Sequence, residues 1–209
     1  MTDTTALAVF MIAALTLNVT PGPNMLYVTT RSLGQGRKAG VVSAIGIGVG
    51  NLVHTLAAAL GLSALLMSSA IAYSVVKYVG AAYLIYLGVR MILRNKHNNS
   101  LTTLTDASLR RIFSQAIATS VLNPKVALFF IAFLPQFANP SQGSVALQIA
   151  VLGALFSTTG TIVNTTVALL SSSFGDWLQT RPRFSQFQQW FTGSVFVALG
   201  TSIALPERK

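Results

Sequence analysis

The residues placed to do chemistry are one lysine, one histidine and a few asparagines, all set in apolar surroundings. Lys125 follows directly on Asn123-Pro124, near the middle of an apolar run over 112–134. A lysine at the centre of a bilayer costs roughly 2.5 to 3.5 kcal/mol on insertion scales, so it normally faces a cavity or a partner. It could serve as the counter-charge for an anionic group such as a carboxylate. The blander alternative is a lysine that reaches water along its own stem. About ten apolar residues on each side of it argue against that. A second polar group lies in the run 40–66, where Asn51 and His54 stand three apart on one helical face and Thr55 adjoins them. A histidine there could carry a proton, or it could tie helices together as a hydrogen-bonding residue. Asn164 lies at the corresponding place in a later run.

The elements that position these residues are interrupted. Thr20-Pro21-Gly22-Pro23-Asn24 breaks the run 6–30, and Asn123-Pro124-Lys125 breaks the run 112–134. Proline lacks a backbone donor and clashes with the preceding turn, so each break frees polar backbone groups. In hydrocarbon such groups persist only where protein or a water-filled cavity satisfies them. The segment Pro21-Gly22-Pro23 is expected to start a half-helix whose first amides favour an anion. Asn18, Thr20 and Asn24 are further candidates for polar contacts there. A packing kink is the plainer reading.

Composition fixes the class. Of 209 residues, 52% are hydrophobic and only 9% are charged, and the mean hydropathy is +0.63. The acids are Asp3, Asp106, Asp176 and Glu207 alone, against 14 Lys and Arg. Such a chain cannot cover a soluble surface and reads as an integral membrane protein whose partner is the lipid bilayer. The net charge of +10 does not indicate nucleic acid, because the basic residues fall in short clusters between apolar runs. With no cysteine, two histidines (His54 and His97) and no acid inside an apolar run, neither a metal site nor a cofactor is expected. The same lack argues against an enzyme. The opening Met1-Thr-Asp-Thr-Thr has no basic stretch, so no cleavable signal is expected.

Six runs are long enough to span a bilayer, at 6–30, 40–66, 73–93, 112–134, 145–170 and 187–205. Basic residues mark the connections after the first run (Arg31, Arg37, Lys38), the third (Arg94, Lys96, Arg110, Arg111) and the fifth (Arg181, Arg183); the other two connections have none. That bias predicts a multi-pass protein with both termini on the periplasmic side. The halves also align. Thr20-Pro21-Gly22 answers Asn123-Pro124-Lys125, Gly50 to Ala58 answers Gly160 to Ala168, and Gly80 to Tyr83 answers Gly193 to Phe196. Three spans is an odd number, so the second copy would enter the membrane inverted. The expected fold is therefore all-α, a single membrane domain of six transmembrane helices in two inverted three-helix repeats. Repeat one covers about 6–93, repeat two about 112–205, and a cytoplasmic linker about 94–111. The spacing of Gly46, Gly50, Ala57 and Gly61 suits close helix packing, and Tyr83 and Tyr86 read as packing residues.

The chain resembles the LysE/RhtB family of bacterial amino-acid exporters, and its RhtB branch in particular. The likeness rests on Pro21-Gly22-Pro23-Asn24, the stretch from Arg31 to Gly40, the glycines from Gly46 to His54, the stretch from Gly80 to Gly88, and Leu122-Asn123-Pro124-Lys125. It extends over nearly the whole chain. The resemblance implies export of small neutral amino acids across the bacterial inner membrane, driven by proton motive force. The residues expected to line the substrate site are Lys125, Pro21, Gly22, Pro23, Asn24, Asn123, Pro124, Asn51, His54 and Asn164. A homo-oligomer is compatible with this reading. A transporter or channel for an inorganic anion would also suit Lys125, whereas a non-transporting membrane subunit would leave both breaks without a purpose.

Overall fold

The computed structural model describes residues 4–68, 70–93 and 106–179, with isolated positions between 190 and 204. Most of the sixth expected span lies outside the described residues, as do 94–105 of the expected linker. The side chains of Tyr83 and Asp176 are likewise outside them. The described residues are helical, with no strand among them. In chain order come α1 (Thr4–Val19), α2 (Pro23–Ser68), α3 (Ala70–Leu93), α4 (Leu109–Val121), α5 (Pro124–Leu128) and α6 (Val145–Gln179). Between α5 and α6 lie a π-helical turn, Phe129–Phe133, and short 3-10 turns at Leu134–Phe137 and Pro140–Gln142. Five of the six expected runs coincide with these helices. Residues 109–111, assigned from sequence to the linker, instead form the first turn of α4, whose N-terminus is capped by the Ser108 hydroxyl.

Each interruption follows from its sequence. Pro21 pushes Thr20 out of the helical region, so α1 stops at Val19, and α2 restarts at Pro23, where a missing N–H does no harm. Asn123 caps α5, its side chain accepting from the Lys125 amide, with Pro124 at the first helical position. The spans on either side of Asn123, Leu109–Val121 and Pro124–Phe137, meet at 47°. Within α2, Gly36 has φ 83° and ψ 174°, a conformation that costs glycine little and other residues much. The helix doubles back there. A Cβ placed on Gly40 would stand 2.7 Å from that of Ser32, although a straight helix would separate the two residues by roughly 12 Å. The arms 23–35 and 37–68 thus form a helical hairpin with almost no loop. Arg31, counted from sequence among the loop cations, lies in the first arm and is only 3% exposed.

By length and apolarity there are two candidate spans among the described helices, one within Pro23–Gly61, where the chain reverses at Gly36, and one at Val145–Ser171. The bent pair is a third if taken as one span. The surface agrees with a lipid setting. Leu56, Leu60, Ile71, Val79, Leu147 and Ile162 are exposed, while Asn51, Ser120, Asn123, Ser157 and Asn164 are buried. That is the reverse of a soluble domain. Asn51, Ser120, Asn123 and Ser157 all have hydrogen-bond partners in the interior.

Arm 37–68 and α6 pack along a seam of small residues. Gly48 lies against Thr161, Gly153 lies against Thr55, and the Ser157 hydroxyl donates to the Gly48 carbonyl at 2.8 Å. Each of these helices also rests on the first broken span of the other half. A Cβ on Gly50 would collide with Ser120 and the Ile117 carbonyl, and one on Gly160 with Asn18. The main apolar core joins Phe10, Ala14 and Leu17 of α1 to Val126, Phe129, Phe130 and Phe133, and to Leu152 and Phe156 of α6. Phe129 is central to it, stacked on Phe156 at 4.7 Å and tilted against Phe10 and Phe133 at 5.9 and 5.1 Å.

Candidate functional site

The two breaks meet. The Lys125 ammonium donates to the carbonyls of Leu17 and Thr20, each at 2.9 Å. These are among the last carbonyls of α1, left without intrahelical partners by the prolines. A cation there also sits at the negative end of the helix dipole. The ammonium lies close to Gly22, since a Cβ on that residue would stand 3.3 Å from Nζ. Among the described residues no carboxylate reaches Lys125. Two of its three N–H groups are used, and one is left.

A second connection runs through amides. Asn123 holds the start of α5 with its side-chain oxygen and donates from Nδ2 to Asn24 Oδ1 at 2.9 Å. Asn24 in turn donates to the Ser120 hydroxyl at 3.5 Å, the weakest bond of the set. Ser120 donates to Asn51 Oδ1 at 2.8 Å. His54 Nε2 lies 3.1 Å from the Ser120 carbonyl. That oxygen can only accept, so Nε2 carries the proton. The imidazole also stacks on Phe130 at 5.6 Å.

A small cavity opens beside Lys125. It is lined by Leu17, Asn18, Thr20, Asn24, Met25, Val126, Phe156 and Asn164 in addition to the lysine. Its volume of about 10 Å³ is enough for roughly one water. The site is closed around itself. A larger groove of about 490 Å³ lies along the exposed face of α3, lined by Ile71, Ser74, Val75, Tyr78 and Val79. It shares no lining residue with the cavity beside Lys125.

The family model described as LysE type translocator matches residues 15–206. The chain belongs to this family of transport proteins. A homoserine/homoserine lactone efflux protein of Salmonella typhimurium is 30% identical over 196 residues, spanning 93% of this chain and 94% of that one. Its Salmonella typhi counterpart is 31% identical over the same length. An uncharacterized membrane protein of Pseudomonas aeruginosa is 31% identical over 190 residues, 88% of each chain. No solved structure matches the chain. As a LysE type translocator it is a multi-pass membrane protein that moves a solute rather than converting one.

The residues singled out from sequence take different places in this translocator. Lys125, Asn24 and Asn164 line the cavity, and Gly22 presses against the ammonium. Asn123 and Asn51 belong to the amide chain behind it, and His54 joins that chain at the Ser120 carbonyl. Pro21, Pro23 and Pro124 act through the backbone they interrupt. Ser120, the hub that joins Asn24, Asn51 and His54, was missed. Its only trace in the sequence is a polar residue four places before Pro124.

Sequence reading also missed a second polar cluster. The Arg31 guanidinium bonds Gln35 Oε1 at 2.5 Å and Gln115 Oε1 at 2.9 Å, and lies 5.5 Å from the Tyr27 ring centre. The single Tyr27 hydroxyl proton lies between two acceptors, the Ile112 carbonyl at 3.1 Å and Gln115 Oε1 at 3.2 Å. This cluster clamps arm 23–35 to α4.

Proposed function

We propose that the protein is a secondary-active exporter of small neutral amino acids or their derivatives, of the homoserine, threonine or leucine type. It would work from the cytoplasm across the inner membrane and be coupled to protons. The observation that carries this reading is the Lys125 ammonium, held at a cavity between two broken spans with one N–H to spare. Paired broken helices are where secondary transporters bind their cargo. A substrate carboxylate takes the spare N–H, while Gly22 and Asn24 shape the same wall. Asn123 holds that wall in place directly, through Asn24, and Asn51 does so through Ser120.

Both termini are assigned to the periplasm by the basic residues of the odd-numbered connections. Two inverted repeats are supported by the reciprocal packing of Gly50 on α4 and Gly160 on α1. In this reading the halves rock about the seam of Gly48, Thr55, Gly153 and Thr161 to expose the cavity to one side and then the other. The relatives named for homoserine and its lactone favour small neutral cargo.

The test is overexpression in a bacterial strain challenged with a panel of inhibitory amino acids and analogues, followed by efflux of the labelled substrate. Resistance and efflux are expected for the wild type. Both should be lost in Lys125→Ala that is present in the membrane at normal level. Undiminished efflux by that variant would remove Lys125 from the substrate site. Efflux that is indifferent to collapse of the proton gradient would remove the coupling.

A further inference from the structure

We infer that Asn164 binds the amino group of the transported molecule, so that the cavity reads a zwitterion at both ends. This rests on the export reading above and on Lys125 as the carboxylate partner. Asn164 is only 4% exposed. Its Nδ2 donates to the Gly160 carbonyl at 2.9 Å, and that bond fixes the amide's orientation. The flipped amide would set two carbonyl oxygens face to face. Oδ1 is therefore committed to the other direction, where it is buried without a hydrogen-bond partner. A buried acceptor left this way is destabilising until a donor reaches it. Asn164 lines the cavity that Lys125 also lines.

None of the neighbouring side-chain donors reaches Oδ1. Both N–H groups of Asn18 Nδ2 go to the Phe156 carbonyl and the Thr159 hydroxyl, one of Asn24 Nδ2 goes to Ser120, and the Thr20 hydroxyl goes to the Thr16 carbonyl. A molecule entering the cavity can satisfy Oδ1 with its own N–H, and a negative group on the same molecule would take the remaining N–H of Lys125 most strongly. An α-amino acid has both within a few bonds. An inorganic anion has only the second, and a carboxylic acid without an amine fares no better.

The experiment uses the full-length protein in proteoliposomes and counterflow of labelled homoserine. Two competitors separate the poles: 4-hydroxybutyrate lacks the amine, and homoserine lactone lacks the carboxylate. For leucine the corresponding pair is 4-methylpentanoate and leucine methyl ester. In the wild type the deaminated acid should compete at least ~10-fold more weakly than the amino acid, as expected when a buried acceptor is left unpaired. Asn164→Leu should weaken both homoserine and its lactone at least ~10-fold, and Asn164→Asp, which keeps the acceptor, should restore both. Lys125→Ala should weaken homoserine more than the lactone. Equal competition by 4-hydroxybutyrate and homoserine in the wild type would overturn the inference, even if the leucine variant failed to insert. So would unchanged homoserine and lactone affinity in Asn164→Leu, the result expected if Oδ1 merely holds a water. Absence of counterflow with any amino acid would instead strike the export reading, and this inference would fall with it.

Discussion

The two helix breaks differ in what completes them. The second is capped by its own sequence: Asn123 accepts from the Lys125 amide two residues on, and Pro124 supplies a first position that needs no donor. The first has no such provision for its C-terminal end. The carbonyls of Leu17 and Thr20 are met by Lys125, more than 100 residues later in the chain. One break is therefore local and could form early. The other is broken by its own prolines, but its carbonyls are capped only once the halves are docked. Lys125 is thus a structural cap, and under the proposed function it is the binding group as well.

This difference ranks the expected effects of substitution. Lys125→Ala uncaps the first break and removes two charge-assisted hydrogen bonds, each worth about 1.5–3 kcal/mol. It should produce the largest fall in thermal unfolding temperature in detergent, together with loss of efflux. Gly22→Ala comes next. Its added Cβ would crowd the ammonium at 3.3 Å, so efflux should drop severalfold with a smaller change in unfolding temperature. Asn123→Ala removes a local cap, at a cost of about 1 kcal/mol, and the bond to Asn24. A modest stability loss and partial efflux are expected. If it destabilised the protein as much as Lys125→Ala, the contrast between a local break and a docked one would be wrong. His54→Gln is the mildest. A glutamine amide can still donate to the Ser120 carbonyl, so efflux should stay within about twofold of wild type if the imidazole acts mainly as a donor. Loss of proton dependence with folding intact would instead give His54 a coupling role.

Much of this was legible in the sequence because proline and charge are conspicuous in apolar runs. The breaks at Pro21 and Pro124, the buried lysine, and the helical class follow from single residues whose cost in hydrocarbon is large. Partners contributed by the main chain were not legible. Leu17 and Thr20 hold Lys125 through carbonyls that every residue has, so their identities carry no trace of the contact. Ser120 escaped notice because serine is inexpensive in a membrane helix, where it can bond to its own backbone or to a neighbour. Arg31 was misplaced for a related reason. Beside Arg37 and Lys38 it looks like one more basic loop residue, and nothing local announces that Gln115 and Tyr27 will enclose it.

The hairpin at Gly36 has a mechanical consequence. Because the chain reverses on one residue, arm 23–35 has no slack at that end, and any slide or rotation of it must carry 37–68 along. Its other end leads straight into Pro21-Gly22. Whatever displacement opens the cavity is therefore absorbed at that joint, beside the Lys125 ammonium. Joint and latch are one place, so a solute that draws the lysine away from Leu17 and Thr20 would loosen the hinge by the act of binding.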